Sequence, residues 1–566
     1  MQSVEEKRVK LFGIFLLVLG VLVIGRSFHL QIVKGGFYQE EALSAQSRLL
    51  QINPQRGEIY ALNDDDRVPL VLNEQRWEVF SDPKFVESAT EIIELLDRTG
   101  VPRKDDLKER LTSDTRYVKI AVIDGDVKDS IEGADVAGLY FKQTPTRVYP
   151  EGNLASHVLG FINSDEKGQY GIEQHYAEEL SGSPGRLKAI TDAEGVPLAF
   201  EQRQIEEAPE NGQDIVLTID APLQRSAQEI LDYHANLRSA ESASLVILDA
   251  DTGAVKAMAN YPDFEPGNFS ATENISDFTN TAVSSTVEPG SVMKTLVLAS
   301  ALSEGVVGPE STYYDPGFYT LNEATIRNAR EYGAGTQSMV DIIARSLNTG
   351  SSYLLSQLGG GFNEQSRVLL HKYYTENFGL GVKTGIDLPN ESPGQVQSPT
   401  DGFGLDIRYA NMTFGQGLTV TTIQLAAAYA VLFNDTGNYY QPYVVQQIGD
   451  EVASPIVKKE AVFDRQTHTE LREVMKQVGD AVYPNIQRAG LEISGKTGTG
   501  EIADGFGGYS ETDFTGSFVG YVKSDSKTLI VSIRLDKPRI SFAGSRAAAF
   551  VWRDIVDSAV SLGKVL

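Results

Sequence analysis

The stretch that decides the fold of this chain is Glu288-Pro289-Gly290-Ser291-Val292-Met293-Lys294-Thr295. Proline and glycine interrupt the preceding chain, and the apolar pattern after them predicts a helix over residues 291–302. Lys294 follows Ser291 by one helical turn, so both side chains lie on one face. A serine becomes a good nucleophile when a base takes its proton, and a lysine can be that base if its pKa is lowered. The helix N-terminus also offers N–H groups to an oxyanion.

The serine–lysine spacing alone is a weak signal, because the chain contains further pairs with the same spacing. None of them begins an apolar helical pattern, as Ser291 does. These pairs are Ser81 with Lys84, Ser164 with Lys167, and Ser524 with Lys527.

A second motif, Ser346-Leu347-Asn348, ends a helical pattern over residues 339–347. A hydroxyl and an amide at this spacing can point from one loop into a shared pocket. The same three residues also fit an ordinary helix C-terminal cap, and the motif by itself does not decide between these interpretations.

A third motif, Lys496-Thr497-Gly498-Thr499, follows a short apolar run and has glycines on both sides. Glycines let a ligand approach an edge strand closely, and a lysine with hydroxyls suits a carboxylate ligand. A similar stretch, Lys383-Thr384-Gly385, leads into a predicted turn. The three motifs in this order form the trio found in serine β-lactamases and penicillin-binding proteins.

The N-terminus predicts a membrane anchor. Basic residues precede an uncharged run over residues 11–25, and residues 28–33 are again largely apolar. The bulky residues after Ser27 fit a signal-peptide cleavage site poorly. We therefore expect a cytoplasmic tail at residues 1–10, a single span at residues 11–33, and the rest outside the cytoplasmic membrane.

The remaining chain predicts two regions. A mixed pattern of strands and short helices over residues 34–212 indicates a pedestal domain. Residues 213–566 begin with a strand at 215–219 and a helix to about residue 237, continue with a hairpin at 243–259, and end with strands at 515–522 and 528–533 and a helix at 547–562. This order indicates an α/β (α+β) sandwich with a central antiparallel sheet.

Composition excludes several function classes. The net charge of −27 argues against nucleic-acid binding. The chain has no cysteine, which removes thiolate chemistry and disulfides, and its six histidines lack helical metal-ligand spacing. We expect no cofactor and no metal ion.

The motifs together resemble those of class B penicillin-binding proteins, the monofunctional peptidoglycan transpeptidases. The resemblance implies a penicillin-binding transpeptidase fold, related to serine β-lactamases, on an N-terminal pedestal. Further stretches that are similar to this family are Arg56-Gly57-Glu58-Ile59, Gly171-Ile172-Glu173, Leu217-Thr218-Ile219-Asp220, Phe414-Gly415-Gln416-Gly417 and Phe518-Val519-Gly520-Tyr521.

The resemblance also implies roles. Ser291 would attack a D-Ala-D-Ala stem peptide, with Lys294 as base, Ser346 as proton relay and Asn348 holding the substrate amide. The implied ligands are peptidoglycan stem peptides and β-lactams. The implied protein partners are a polytopic membrane glycosyltransferase and division proteins. The implied carboxylate site is Lys496, Thr497, Gly498 and Thr499.

Other functions share part of this pattern. A serine β-lactamase is shorter and lacks a pedestal, a β-lactam sensor needs a larger cytoplasmic part, and a non-catalytic scaffold should have lost Ser291 or Lys294. A bifunctional glycosyltransferase should carry an acidic motif before residue 212. Within the family, the pedestal and the lack of long insertions favour a septal, division-type enzyme over an elongation-type enzyme. The glycine-rich residues 501–510 are a candidate gate of the cleft.

Overall fold

The computed structural model describes residues 2–38, 47–163, 165–190, 204–329, 334–504, 508–539 and 544–565. The chain divides into two units, one containing Met1–Arg56 and Ser181–Gly212, the other Gly57–Leu180 and Gln213–Leu566. Residues 57–180, which belong to the expected pedestal, therefore share a unit with the expected catalytic region.

Runs of strands are interspersed with helices along the described chain. The strands are β1 (Ser47–Ile52), β2 (Ile59–Asn63), β3 (Asp66–Ser81), β4 (Val118–Ile123), β5 (Leu139–Val148), β6 (Phe161–Ile162), β7 (Gly168–Gln169), β8 (Gly185–Ile190), β9 (Gln204–Glu207), β10 (Ile215–Asp220), β11 (Ser242–Asp249), β12 (Val255–Tyr261), β13 (Thr312–Asp315), β14 (Phe318–Leu321), β15 (Ala324–Arg327), β16 (Gly335–Ser338), β17 (Tyr439–Tyr440), β18 (Val445–Ile448), β19 (Glu451–Val452), β20 (Val457–Lys459), β21 (Glu492–Ala503), β22 (Tyr509–Lys523) and β23 (Thr528–Asp536).

The α-helices are α1 (Gln2–Phe28), α2 (Ala89–Arg98), α3 (Leu107–Leu111), α4 (Gly125–Glu132), α5 (Ser156–Leu159), α6 (Gly171–His175), α7 (Ala177–Ser181), α8 (Ala221–Leu237), α9 (Thr281–Ser284), α10 (Met293–Ser303), α11 (Met339–Ala344), α12 (Asn348–Leu358), α13 (Glu364–Lys372), α14 (Leu405–Met412), α15 (Thr422–Phe433), α16 (Arg465–Val482) and α17 (Gly544–Ser561). Short 3₁₀ or π turns are His29–Val33, Pro83–Phe85, Pro266–Ala271, Ile275–Phe278, Gly290–Val292, Tyr373–Asn377 and Pro484–Ile486.

The first unit contains an apolar N-terminal helix and a small sheet. The helical segment Lys7–Val33 is long and apolar enough to cross a membrane, so the predicted span coincides with a candidate membrane helix. The sheet is antiparallel, with strand order β1-β8-β9.

An antiparallel sheet of order β12-β11-β23-β22-β21 forms the centre of the second unit. Helices α8 and α17 pack on one face of this sheet and bury Leu223 and Trp552 there. Helices α10 and α15 contribute to the core on the other side. The predicted antiparallel sheet between helices is confirmed. The β11–β12 hairpin and helix α8 are also confirmed, with Asp220 accepting the Leu223 N–H as N-cap.

A second sheet connects residues 57–180 to the catalytic region. Its strand order is β19-β18-β10-β2-β3-β4, with β5 also pairing β3, and β2 runs parallel to β10. One hydrophobic core therefore includes Ile59 and Ile172 together with Leu296 of helix α10. This shared sheet and core explain why residues 57–180 group with residues 213–566.

Candidate active site

Ser291 lies in the 3₁₀ turn Gly290–Val292, which leads directly into helix α10. Its side chain is partly exposed. Gly290 has a φ of 66°, and a Cβ there would collide with the backbone of Thr499. The glycine thus lets strand β21 approach the serine turn, which brings the first and third motifs together.

Lys294 is fully buried and connects the first motif to the second. Its Nζ donates to the Ser346 main-chain oxygen at 2.7 Å and to Asn348 Oδ1 at 2.7 Å, and it lies 3.1 Å from Ser346 Oγ. The Phe414 ring centroid lies 6.0 Å from the same nitrogen. The geometry brings together Lys294, Ser346 and Asn348 from the first and second motifs.

The surroundings of Lys294 favour an uncharged amine. Burial lowers the pKa of Lys294 well below its ordinary value, and the nearby positive charge of Lys496 lowers it further. An uncharged amine has two N–H donors, and the Ser346 and Asn348 oxygens at 2.7 Å are two acceptors that cannot donate. The lone pair is then left to accept a proton from a hydroxyl. Among the described residues, no side chain or main-chain group accepts a hydrogen bond from the Ser291 hydroxyl.

The second motif occupies the connection between α11 and α12. Ser346 has a φ of 58°, a left-handed backbone conformation that is uncommon for serine. Asn348 begins helix α12, and its Nδ2 donates to the Arg327 main-chain oxygen at 3.0 Å. The motif is therefore a helix-to-helix connection facing a buried amine, and the alternative of a simple C-terminal cap does not account for these contacts.

The third motif lies on β21, the edge strand of the central sheet. Thr499 is exposed and Thr497 partly exposed, whereas Lys496 and Gly498 are buried. A Cβ at Gly498 would collide with the Pro289 oxygen, so only glycine permits this strand to lie against the serine turn. Strand β21 thereby presents two threonine hydroxyls beside the serine turn.

Lys496 is a buried cation without a carboxylate partner in the described part of the chain. Its Nζ donates to the Thr497 main-chain oxygen at 3.1 Å and lies 3.3 Å from Thr497 Oγ1. Burial lowers its pKa to about 7. An anionic ligand would supply the missing countercharge, so the arrangement suits a carboxylate.

The similar motifs elsewhere lie in different settings. Ser81 ends strand β3, and Ser524 lies in the turn between β22 and β23. Ser164 lies outside the described residues. Thr384 of the second lysine–threonine–glycine stretch is buried, and its N–H and hydroxyl both donate to Glu391 at 2.6 Å. These contacts belong to a buried turn, as expected from its sequence.

Sequence reasoning missed two groups beside the motifs. Glu288 Oε1 accepts from the Gly417 N–H at 2.9 Å and from the Tyr509 hydroxyl at 3.1 Å, and burial raises the pKa of Glu288. Asp315 is buried and accepts from Thr349, the residue after the second motif, at 2.6 Å. Both groups depend on contacts between distant segments. The candidate gate at 501–510 includes Tyr509, while residues 505–507 lie outside the described chain.

Two family models match the chain. The model described as penicillin binding protein transpeptidase domain matches residues 243–557, and the model described as penicillin-binding protein dimerisation domain matches residues 51–217. The chain belongs to the class B penicillin-binding proteins. This membership confirms the resemblance carried by the three motifs.

Penicillin-binding proteins of known sequence and structure resemble this chain over most of its length. Stage V sporulation protein D of Bacillus subtilis is 31% identical, over 97% of this chain and 85% of that protein. Peptidoglycan D,D-transpeptidase FtsI of Escherichia coli K12 is 29% identical, over 86% of this chain and 80% of that protein. The crystal structure of penicillin binding protein 2X from Streptococcus thermophilus has a TM-score of 0.71 at 21% identity and covers 92% of this chain and 81% of that one. This last likeness confirms the predicted fold.

Proposed function

We propose that this protein is a peptidoglycan D,D-transpeptidase that cross-links stem peptides through an acyl-enzyme on Ser291. One observation carries the proposal: a buried Lys294 amine with a lowered pKa is hydrogen-bonded to Ser346 and Asn348 and lies near the Lys496 cation. Three motifs that are far apart in the sequence thus surround one candidate base. The relatives named peptidoglycan D,D-transpeptidase support the same activity.

Acylation uses the uncharged amine. Ser291 Oγ attacks the carbonyl carbon of the penultimate D-alanine while its proton passes to Lys294 Nζ. N–H groups of Ser291 and Thr499 stabilise the oxyanion. The C–N bond then breaks, and the leaving D-alanine amine takes a proton relayed through the Ser346 hydroxyl. Asn348 holds the substrate amide during this step.

The second half of the reaction transfers the acyl group. The amine of a neighbouring stem peptide attacks the Ser291 ester, its proton leaves through the same relay, and Ser291 Oγ recovers a proton as the new amide forms. During the earlier acylation step, before the terminal D-alanine leaves, Lys496, Thr497 and Thr499 bind the terminal carboxylate of the donor stem, with Gly498 permitting the close approach of the strand. A β-lactam, whose carboxylate and amide resemble those of the donor, acylates the same serine.

The test is covalent labelling of the full-length protein with a fluorescent penicillin, followed by mass spectrometry of the adduct. We expect one label on Ser291 and none after Ser291→Ala. Ser524→Ala is the matched control, because Ser524 has the same spacing from a lysine but lies in a turn, and it should label normally. Undiminished labelling of Ser291→Ala would contradict the assignment.

The anchor supports a location at the outer face of the cytoplasmic membrane. Lys7, Arg8 and Lys10 precede the apolar segment of helix α1, which favours an N-terminus in the cytoplasm. Residues 34–212 then form the pedestal and residues 213–566 the catalytic domain outside the membrane. A polytopic glycosyltransferase and division proteins are the proposed partners. Protease added to intact protoplasts should remove the catalytic domain, and full protection would contradict this orientation.

Within the family, we place this protein in septal wall synthesis. The likeness to FtsI fits this role, and elongation is the alternative. Because one relative is named for stage V of sporulation, wall synthesis during sporulation is a second candidate. A fluorescent fusion should form midcell bands in dividing cells. A dispersed side-wall pattern would indicate elongation instead, and a signal confined to sporulating cells would indicate the sporulation role.

A further inference from the structure

The loop that carries Ser346 and Asn348 is held in a strained conformation. Ser346 has a φ of 58°, which is unfavourable for a residue with a Cβ. Such a conformation persists only when surrounding contacts impose it. The contacts after the motif are therefore as important for its geometry as the motif residues themselves.

Thr349, immediately after the motif, is fully buried and bonded on two sides. Its hydroxyl lies 2.6 Å from Asp315 Oδ2 and 3.0 Å from Asn328 Oδ1, and its N–H donates to Asn328 Oδ1 at 3.1 Å. Asp315 ends strand β13, and Asn328 directly follows strand β15. Two strand ends thus hold the first turn of helix α12.

Asp315 has unusual surroundings for a buried carboxylate. In the part of the chain that the structure describes, no lysine or arginine forms an ion pair with it. Its carboxyl oxygens accept hydrogen bonds from neutral groups instead, with the Gly317 N–H donating to Oδ1 at 2.8 Å and the Thr349 hydroxyl lying 2.6 Å from Oδ2. The short contact to Asp315 Oδ2 and the two contacts to Asn328 Oδ1 together fix the position of Thr349 in this turn.

These contacts are linked to the candidate base, Lys294, through Asn348. The Arg327 main-chain oxygen, one residue before Asn328, accepts from Asn348 Nδ2 at 3.0 Å, which turns Asn348 Oδ1 toward Lys294 Nζ at 2.7 Å. A shift of the turn would move Asn348 Oδ1 and both Ser346 oxygens away from Lys294 at once.

We propose that Asp315, Thr349 and Asn328 form a positioning network that fixes the Ser346–Asn348 loop against Lys294. This inference rests on the proposed transpeptidase function and adds to it residues that do not touch the substrate. The network acts on the rate of Ser291 acylation, through the loop, and not through general stability alone.

The test separates an effect on the rate of Ser291 labelling from an effect on the fraction of folded protein. The first-order rate constant of labelling at saturating fluorescent penicillin reports the chemistry of folded molecules, and the amplitude reports how many are folded. Thr349→Val keeps the shape but removes the hydroxyl, and should lower this rate constant roughly 10- to 100-fold, as a small displacement of catalytic groups does. Thr349→Ser restores the hydroxyl and should return the rate constant to within about 3-fold of the parent.

Thr218→Val is the matched control, because it removes another buried threonine hydroxyl. Thr218 lies in strand β10, and its hydroxyl donates to the Val255 main-chain oxygen of strand β12 at 2.6 Å. It should change the unfolding midpoint or amplitude but leave the labelling rate constant unchanged. Asn328→Ala, at a half-buried position, removes the second acceptor and provides a variant if Thr349→Val does not fold.

A parent-like rate constant in folded Thr349→Val or Asn328→Ala would overturn the network. A Thr349→Ser rate constant as low as that of Thr349→Val would do the same. Absence of label on Ser291 of the unsubstituted protein would overturn the proposed function, and this inference with it.

Discussion

Two buried lysines of the central sheet have opposite electrostatic surroundings. Lys496 on β21 is 3% exposed, and within the described residues its Nζ contacts the main-chain oxygen and hydroxyl of Thr497 and no carboxylate. Lys523 at the end of β22 is 6% exposed but pairs with Asp435 at 2.8 Å and donates to Thr528 Oγ1 at 3.0 Å. In the part of the chain that is described, the first lysine is therefore a buried charge without a carboxylate partner, and the second is a paired one.

We expect Lys496→Met to stabilise the fold and to impair acylation. Burial lowers the Lys496 pKa from 10.5 to about 7, so the unfolded chain binds a proton that the folded one holds weakly. The native protein loses stability below pH 10.5, with the full cost present below about 7. At neutral pH this cost is on the order of 4 kcal/mol. Urea unfolding should show a gain of that order at pH 7 that shrinks as the pH rises.

The matched variant Lys523→Met should lower the stability of the fold and leave acylation unchanged. It removes a paired cation and leaves the Asp435 carboxylate without its partner, so we expect destabilisation with the penicillin labelling rate retained. Lys496→Met should label at least about 100-fold more slowly than the parent, because the carboxylate site loses its cation. A Lys496→Met protein less stable than the parent at pH 7 would contradict the electrostatic argument.

The edge strand β21 was predictable from the sequence as a strand, but its contacts with distant segments were not. The apolar run before Lys496 and the flanking glycines predict a strand open to a ligand, and the structure has one. The approach of Gly498 to the Pro289 oxygen is a contact between distant segments. Periodicity reports only which residues of one element share a face, so it contains no signal for this contact.

The same limit applies to the loop between α11 and α12. Helices with regular patterns, such as α8 and α15, were predictable from the sequence because capping and apolar spacing are local. The contact that holds Thr349 joins it to Asp315, 34 residues earlier in the chain, and the left-handed φ of Ser346 leaves no periodic signal in the sequence. The sequence therefore predicts the motif residues, whereas the residues that position them depend on tertiary contacts.

At the scale of the whole molecule, the second unit has a hydrophobic core common to residues 57–180 and the catalytic region. Ile59 and Ile172 belong to the same buried cluster as Leu296 and Val431. The sequence shows that the pattern of residues changes at about residue 212, but it does not show which segments pair in space. The parallel pairing of β2 with β10 joins the two regions, so we expect them to unfold together.

Arg147 and Glu173 form a buried ion pair within residues 57–180. Arg147 Nε donates to Glu173 Oε1 at 2.8 Å and Arg147 Nη1 donates to Asn73 Oδ1 at 2.9 Å, while Glu173 is fully buried. Glu173→Gln keeps the shape but leaves the arginine charge buried without a carboxylate. Removing one partner of a buried pair costs about 3–5 kcal/mol, and we expect a loss of that order in the free energy of unfolding.

The two tryptophans of the chain allow each region to be followed separately. Trp77 lies in β3, and the fully buried Trp552 packs on Phe518 beside the central sheet. In Trp552→Phe and Trp77→Phe backgrounds, each of which keeps one fluorescent reporter, Glu173→Gln should lower the urea midpoint by the same amount. Asp97→Asn breaks an exposed ion pair in the same region. With either reporter, it should change the free energy of unfolding by no more than about 1 kcal/mol. A shift seen by Trp77 alone would show that the shared core does not couple the two regions.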